Sequence, residues 1–357
     1  MRNLINLKTG DTLTLRLDGL NLVSTSVKNT KVRETKKQFL NQDEAKKALS
    51  KKEWDALKKG YVLKNKSEKH LYIGGGYTGA LAFDELNGVF YIYKNDNLDA
   101  KLICVNENLE KFLEINLPKP LAWDICGTCS DLFLNLDHYI YKFDTKSKNF
   151  KDLYETLGLK KSKFMSFLCS YEERVAFCMF GRVFVYENDK FNELFKQKIK
   201  INQPKALLKA DISKRHLALH TKANEVLVFD AKSGQQITQI CHKFGYLSRL
   251  KFALNGTILL LLDMLDFKIH VLNSEFEPLD IDFGEVDDFC VSKDGLMAAV
   301  RLRQSVKIYD LKAMKVTQSI AIRHIVRHCE MKFIGDDLAV RTDYGCFSLY
   351  KLKGELC

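Results

Sequence analysis

The chain has 357 residues, too many for one small domain, and its 46% hydrophobic and 28% charged content is enough for a buried core beneath an ordinary water-facing surface. The longest apolar run, residues 257–262, falls far short of the roughly 20 residues a membrane helix needs, so no membrane span is expected. The formal net charge of +11 is lopsided: residues 1–69 hold 17 Lys+Arg against 8 Asp+Glu and the remainder 39 against 37, so a nearly neutral body follows a basic front segment suited to anionic partners.

Residues 1–10 carry Arg2 and Lys8 without an apolar segment and cleavage site, so no secretory signal is read there. Ten cysteines without such a signal predict reduced thiols and a cytoplasmic setting. Most of them, such as Cys104, Cys169, Cys178, Cys290 and Cys346, fall in predicted strands, where a thiol packs as a small apolar group.

Residues 1–40 read as a small β unit, alternating over 12–17, turning at Asp18-Gly19 and alternating again over 20–27. A basic run follows, with Lys28, Lys31, Arg33, Lys36 and Lys37. Next comes a helix. Asn41 suits its N-cap, Glu44 the reciprocal contact of a capping box, and Asp43 and Glu44 the positive end of its dipole. Ala45, Ala48, Leu49 and Ala56 share one face, Gly60 ends the helix, and residues 64–68 read as a polar linker.

Leu17-Asp18-Gly19, Phe39, Asp43-Glu44-Ala45 and above all Lys58-Lys59-Gly60-Tyr61 carry a resemblance. Residues 1–66 resemble the WGR domain, a small β-sheet-plus-helix module of bacterial proteins and of DNA-damage-sensing poly(ADP-ribose) polymerases. The Trp-Gly-Arg tripeptide that names the family, and helps its DNA-binding members touch DNA, is absent; residues 24–31 stand in its place.

From residue 67 onward a unit recurs, typified by residues 225–234: a short alternating strand, an acidic residue, then a turn. Asn106, Asp144, Glu187, Asp230, Asn273, Asp310 and Lys351 close successive copies, at steps of 38, 43, 43, 43, 37 and 41 residues. A period near 40 with four short strands per copy predicts a seven-bladed β-propeller over residues 67–357, making the protein mainly β. The last copy lacks its outer strand, and residues 69–73 (Lys-His-Leu-Tyr-Ile) are expected to supply it and close the ring. Phe143-Asp144, Phe229-Asp230 and Tyr309-Asp310 stand where WD40 proteins have Trp-Asp, so this part resembles the WD40-like propellers, over about four-fifths of the chain. The family's Gly-His pair is not visible.

Lys47, Lys51 and Lys58 lie within about 40° of one another on the helix, with Trp54 adjacent. An outward Trp54 among these lysines suits stacking on a base while the lysines meet phosphates; Arg2, Arg33, Lys36 and Lys37 would extend that surface. The alternative is a solvated helix face whose Trp54 packs on the propeller or the small sheet. Cys126 and Cys129 have a metal or redox spacing, but no second pair completes a zinc site. His324, His328 and Cys329, and likewise His216 and His220, read as structural: in a strand, positions i and i+4 lie about 13 Å apart. Gly74-Gly75-Gly76 lacks the spacing and lysine of a nucleotide loop. Asp84, Glu85, Asp124, Asp287 and Asp288 lie near inner-strand ends, where propeller enzymes place their sites, and are assigned no role.

The sequence reading is therefore a non-enzymatic protein-interaction scaffold, without cofactor or metal and with protein partners on the propeller faces. The alternative is a nucleic-acid-associated factor that binds DNA or RNA through the basic front module.

Overall fold

In five of the seven repeats the closing residue caps a turn; Glu187 instead pairs with Arg174, and Lys351 with Asp337. One carboxylate oxygen of Asp144 accepts the backbone N–H of Lys146 and Ser147 at 2.8 and 3.2 Å. Asp230 does the same for Lys232 and Ser233, and Asp310 for Lys312 and Ala313. Asn106 and Asn273 use their side-chain carbonyls on the N–H groups two and four residues on. A short oxygen-bearing side chain satisfies its own backbone in this way and turns the chain into the next strand. The period of the sequence is thus a period of turn chemistry.

A computed structural model describes residues 1–76, 79–128, 130–159, 166–179, 181–194, 209–222, 225–241, 244–324 and 327–352. Among them, six antiparallel four-stranded sheets stand as blades of a propeller, over residues 83–116, 122–152, 168–193, 210–241, 247–279 and 288–321. Their inner strands are Phe83–Leu86, Ala122–Gly127, Leu168–Tyr171, Ala210–Ile212, Leu247–Ala253 and Asp288–Val291, each packed against the next. Apolar side chains of neighbouring blades interdigitate between the sheets: Phe133, Phe143 and Phe177 share one such core, and Leu260, Leu262 and Phe289 another. Most of the apolar area removed from water lies there, the principal stabilising term of such a ring.

The remaining strands form one nine-stranded sheet. Its order runs Cys329–Ile334, Asp337–Thr342, Cys346–Lys351, then β6 (Glu68–Tyr72), β5 (Tyr61–Lys64), β1 (Arg2–Asn6), β2 (Thr12–Asp18), β3 (Asn21–Lys28) and β4 (Lys31–Gln38). Strand Cys329–Ile334 packs against the inner strands of both the sixth and the first blade. Strand β6 pairs antiparallel with Cys346–Lys351, in the register Tyr72 to Cys346, His70 to Ser348 and Glu68 to Tyr350. At its end Gly345 O accepts the N–H of Ile73 and Gly74, at 2.8 and 3.1 Å. Gly345 has φ +80°, and a Cβ there would lie 2.9 Å from the Gly74 carbonyl carbon, so only glycine lets the two backbones meet. The stretch read as a linker, residues 64–68, is the hairpin turn between β5 and β6, two paired strands of this sheet.

The helix, α1 (Gln42–Lys58), begins at Asn41, whose side chain accepts the N–H of Glu44 at 2.9 Å. Glu44 reaches back to the N–H of Leu40 at 3.3 Å. Leu49, Ala56 and Leu57 pack on Leu4, Leu15, Leu22 and Leu63 of the sheet, and Ala45 is buried on the same helix.

Candidate functional site

The basic residues of the front segment do not converge. Lys47, Lys51 and Lys58 are exposed on α1, and all of β4 is exposed. Register puts Lys37 opposite Leu22, which packs under the helix, and Lys36 opposite Val23, so alternation sends the two side chains to opposite faces of the sheet. Trp54 is not an outward stacking platform. Its Nε1–H donates to the Tyr344 carbonyl at 3.0 Å, and its ring meets the Tyr344 ring edge-on at 4.9 Å. The Lys58 ammonium sits 4.3 Å from the indole centroid. The turn before strand Cys346–Lys351 covers Trp54, while the lysines around it stay exposed.

Arg2 also leaves the basic surface. It is buried and holds both oxygens of Glu53, at 2.6 and 2.8 Å, and it also binds Glu68. Glu53 is fully buried and bonded to His324 Nε2 at 3.0 Å. His70, between them, meets Glu68 at 3.2 Å through Nε2, while its Nδ1 has no hydrogen-bond partner. Burial works against the Glu53 charge, but the hydrogen bonds of His324 and Arg2 hold its carboxyl well below the usual range. Burial lowers His70 to about 3, so its imidazole is neutral. Glu53, His70 and His324 offer three ligand atoms within 4.8 Å of one another. Charge argues against a metal: Arg2 already occupies both Glu53 oxygens and Arg323 stands nearby, so a dication would leave the pocket strongly positive. The cluster fastens α1 to the ring.

The ring's axis is the chemically richest place. Alternate residues of the inner strands line a channel in tiers. At the mouth, a cavity of about 150 Å³ is bounded by Asp124, Lys209, Arg249, Glu330, Trp123 and Leu168. Two residues further along the same strands, a second cavity of about 140 Å³ takes in Cys126, Ser170, Lys251, Cys290 and Lys332, with Asp84. Most of these charges are matched. Arg249 bridges Asp288 at 2.8 Å and Glu330 at 3.1 Å, Lys251 meets Asp211 at 2.7 Å, and Lys332 meets Asp84 at 3.0 Å. Asp84 and Asp211 also accept backbone N–H groups of the next blade, Gly127 at 3.0 Å and Phe252 at 2.8 Å, and so stitch inner strands together. Burial opposes ionisation of Glu330, yet the Arg249 guanidinium holds its carboxyl below the ordinary range. The Cys126 and Cys290 thiols are pushed up by burial and stay protonated, which leaves no nucleophilic thiolate. Cys129 lies outside the described residues.

Of the five carboxylates named from sequence, Asp84 and Asp124 line the channel, while Asp288 is held by Arg249 beside it. Asp287 caps the Arg303 N–H and meets Arg301, and Glu85 caps the Gly88 N–H at 2.6 Å. Sequence reading missed Lys209, Arg249, Lys251, Glu330 and Lys332. Their signal was a charge inside an otherwise apolar inner strand.

No protein-family model and no curated protein matches the chain. Among solved structures, it is similar to a chain in the crystal structure of the mitotic checkpoint complex, with a TM-score of 0.63 at 12% identity, over 81% of this chain and 92% of that one. The fold is a β-propeller. The comparisons lend no support to the WGR resemblance of residues 1–66. In this propeller the Phe-Asp positions serve packing and turns: Phe143 lies 4.8 Å from the Phe150 ring, and Asp144 caps the turn between them.

Proposed function

We infer that the chain is a non-enzymatic protein-interaction scaffold. One observation carries this reading. Tyr246 and Leu265 are 65% and 74% exposed, yet their backbone is held rigidly. Asp263 accepts the N–H of Gly245 at 2.5 Å, of Tyr246 at 2.8 Å and of Leu265 at 2.9 Å, and the Met264 N–H donates to Tyr246 O at 2.8 Å. Tyr246 stands just ahead of Ser248 and Arg249, so this apolar pair belongs to the face that carries the channel mouth. A rigid aromatic with an aliphatic neighbour, already ordered, is what a protein partner binds at small entropic cost. Turning both side chains polar (Tyr246→Ser with Leu265→Ser) should leave the fold intact and release partners that the full chain retains from its native cell. An unchanged set of partners would contradict the reading.

The scaffold includes a seventh blade, built from strands Cys329–Ile334, Asp337–Thr342, Cys346–Lys351 and β6. Support comes from the inner position of the first of these, which touches the blades on either side. Residues 67–357 then form the ring, closed by residues 69–73, and residues 1–66 a basic module that extends its last blade. Among the described residues seven free thiols, all buried, suit a reducing compartment such as the cytoplasm. A second reading rests on the exposure of Lys47, Lys51 and Lys58 and of the β4 cations: this module meets an anionic partner, DNA or RNA, through charge alone, without Trp54.

A further inference from the structure

At the channel mouth two charges are left over. Among the described residues, neither Asp124 nor Lys209 has an ion-pair partner, although Arg249 and Glu330 beside them are paired to each other. One oxygen of Asp124 accepts the N–H of Ile125 at 2.8 Å. Among the described residues the Lys209 ammonium has no hydrogen-bond acceptor. The two line the same cavity from inner strands two blades apart, with Leu168 on the strand between them, and they do not reach each other. Burial raises the Asp124 carboxyl against the pull of Lys332, and burial and then Arg249 lower the Lys209 ammonium against the pull of Glu330 and Asp124, so neither charge is fully compensated by the protein. Neither links strands as Asp84 and Asp211 do. A half-buried charge without an ion-pair partner is incompletely satisfied, and an occupant of opposite charge would complete it.

We propose that the channel mouth binds a small zwitterion, with its ammonium on Asp124, its carboxylate on Lys209 and its carbon stem against Trp123 and Leu168. Each end is reinforced by a like-signed neighbour, Glu330 beside Asp124 and Arg249 beside Lys209. The volume of about 150 Å³ is below the roughly 300 Å³ at which pockets for drug-sized ligands begin and suits a ligand of amino-acid size. A free amino acid and the C-terminal residue of a peptide, through its carboxylate and a lysine side chain, share this chemistry. The site is independent of the Tyr246–Leu265 patch.

Calorimetric titration of the full chain tests this. The probes are a series of ω-amino acids of increasing length, an alkylamine and an alkyl carboxylate as single-charge controls, and a short peptide ending in lysine. One length should bind saturably, at least about tenfold tighter than either control. Asp124→Asn and Lys209→Met should each weaken it about tenfold or more while leaving the melting temperature unchanged or higher, since each removes a half-buried charge without an ion-pair partner. A structural pair would instead lose stability. Tighter binding of the peptide than of the best ω-amino acid assigns the site to chain termini, and the reverse to a free amino acid. Absence of binding by every zwitterion, binding that survives both substitutions, or a lowered melting temperature in both variants would overturn the proposal.

Discussion

Glu53 and His324 lie 271 residues apart in the chain and 3.0 Å apart in the fold. Their bond joins the front helix to the loop ahead of the last propeller strands, and Arg2 completes it from the opposite side of Glu53. Glu53→Gln keeps the shape and removes the charge, so it leaves Arg2 buried without its principal counter-ion. The expected loss is about 3–5 kcal/mol, read as a lowered urea midpoint of the full chain. A loss below about 1 kcal/mol would mean the cluster does not fasten the helix.

The same cluster sets a pH dependence. His70 is held down to about 3 in the fold, while an unfolded histidine titrates near 6.5. Below about pH 6.5 the unfolded chain takes up a proton that the folded chain refuses, so the contribution is complete above that pH and is lost as pH falls toward about 3. Glu53, depressed in the fold, acts in the same direction below its unfolded value of about 4.3. Stability should therefore decline from about pH 6.5 downward, with His70 contributing a slope of about 1.4 kcal/mol per pH unit. Urea midpoints between neutral pH and about pH 5 should flatten in His70→Asn; an unchanged slope would place the titrating group elsewhere.

Within the channel, Lys332 holds Asp84 at 3.0 Å and the Ile125 carbonyl at 2.7 Å. Lys332→Met should cost about 3–5 kcal/mol by leaving the buried Asp84 unmatched, whereas Lys209→Met, a few strands away, should cost nothing. Thermal melts of the two variants side by side check the contrast, and equal losses would refute it.

On the front module, Trp54 and the lysines separate cleanly. Trp54→Ala should lower stability by about 2–4 kcal/mol, because a half-buried indole and its bond to Tyr344 are lost. Retention on immobilised DNA, steeply reduced by salt, should survive that change and fail in Lys47→Glu, Lys51→Glu, Lys58→Glu. Equal retention by the triple variant and the parent would remove the second reading.

How much of this was legible in the chain follows from the range of each interaction. The turns at Asp144, Asp230 and Asp310 are local, since a side chain reaches two residues on, and so their spacing announced a propeller. The capping of α1 by Asn41 and Glu44 was legible for the same reason. The environment of Trp54 was not: helical periodicity places it opposite Ala45, but the residue that covers it, Tyr344, comes 290 positions later. Arg2 read as surface charge until Glu53, 51 residues on, was seen to hold it. The channel was hidden by register. Asp124, Lys209, Arg249 and Glu330 meet only because their inner strands align across the ring, and a one-residue slip would send each to another face.

Hydrogen exchange of the full chain tests the closure of the ring most directly. If β6 fastens Cys346–Lys351, the paired amides of both strands should exchange as slowly as those of inner blade strands such as Leu247–Ala253, and should open only with the whole molecule. Fast exchange at β6, at the rate of an unpaired edge such as β4, would mean that the ring is held shut by something else.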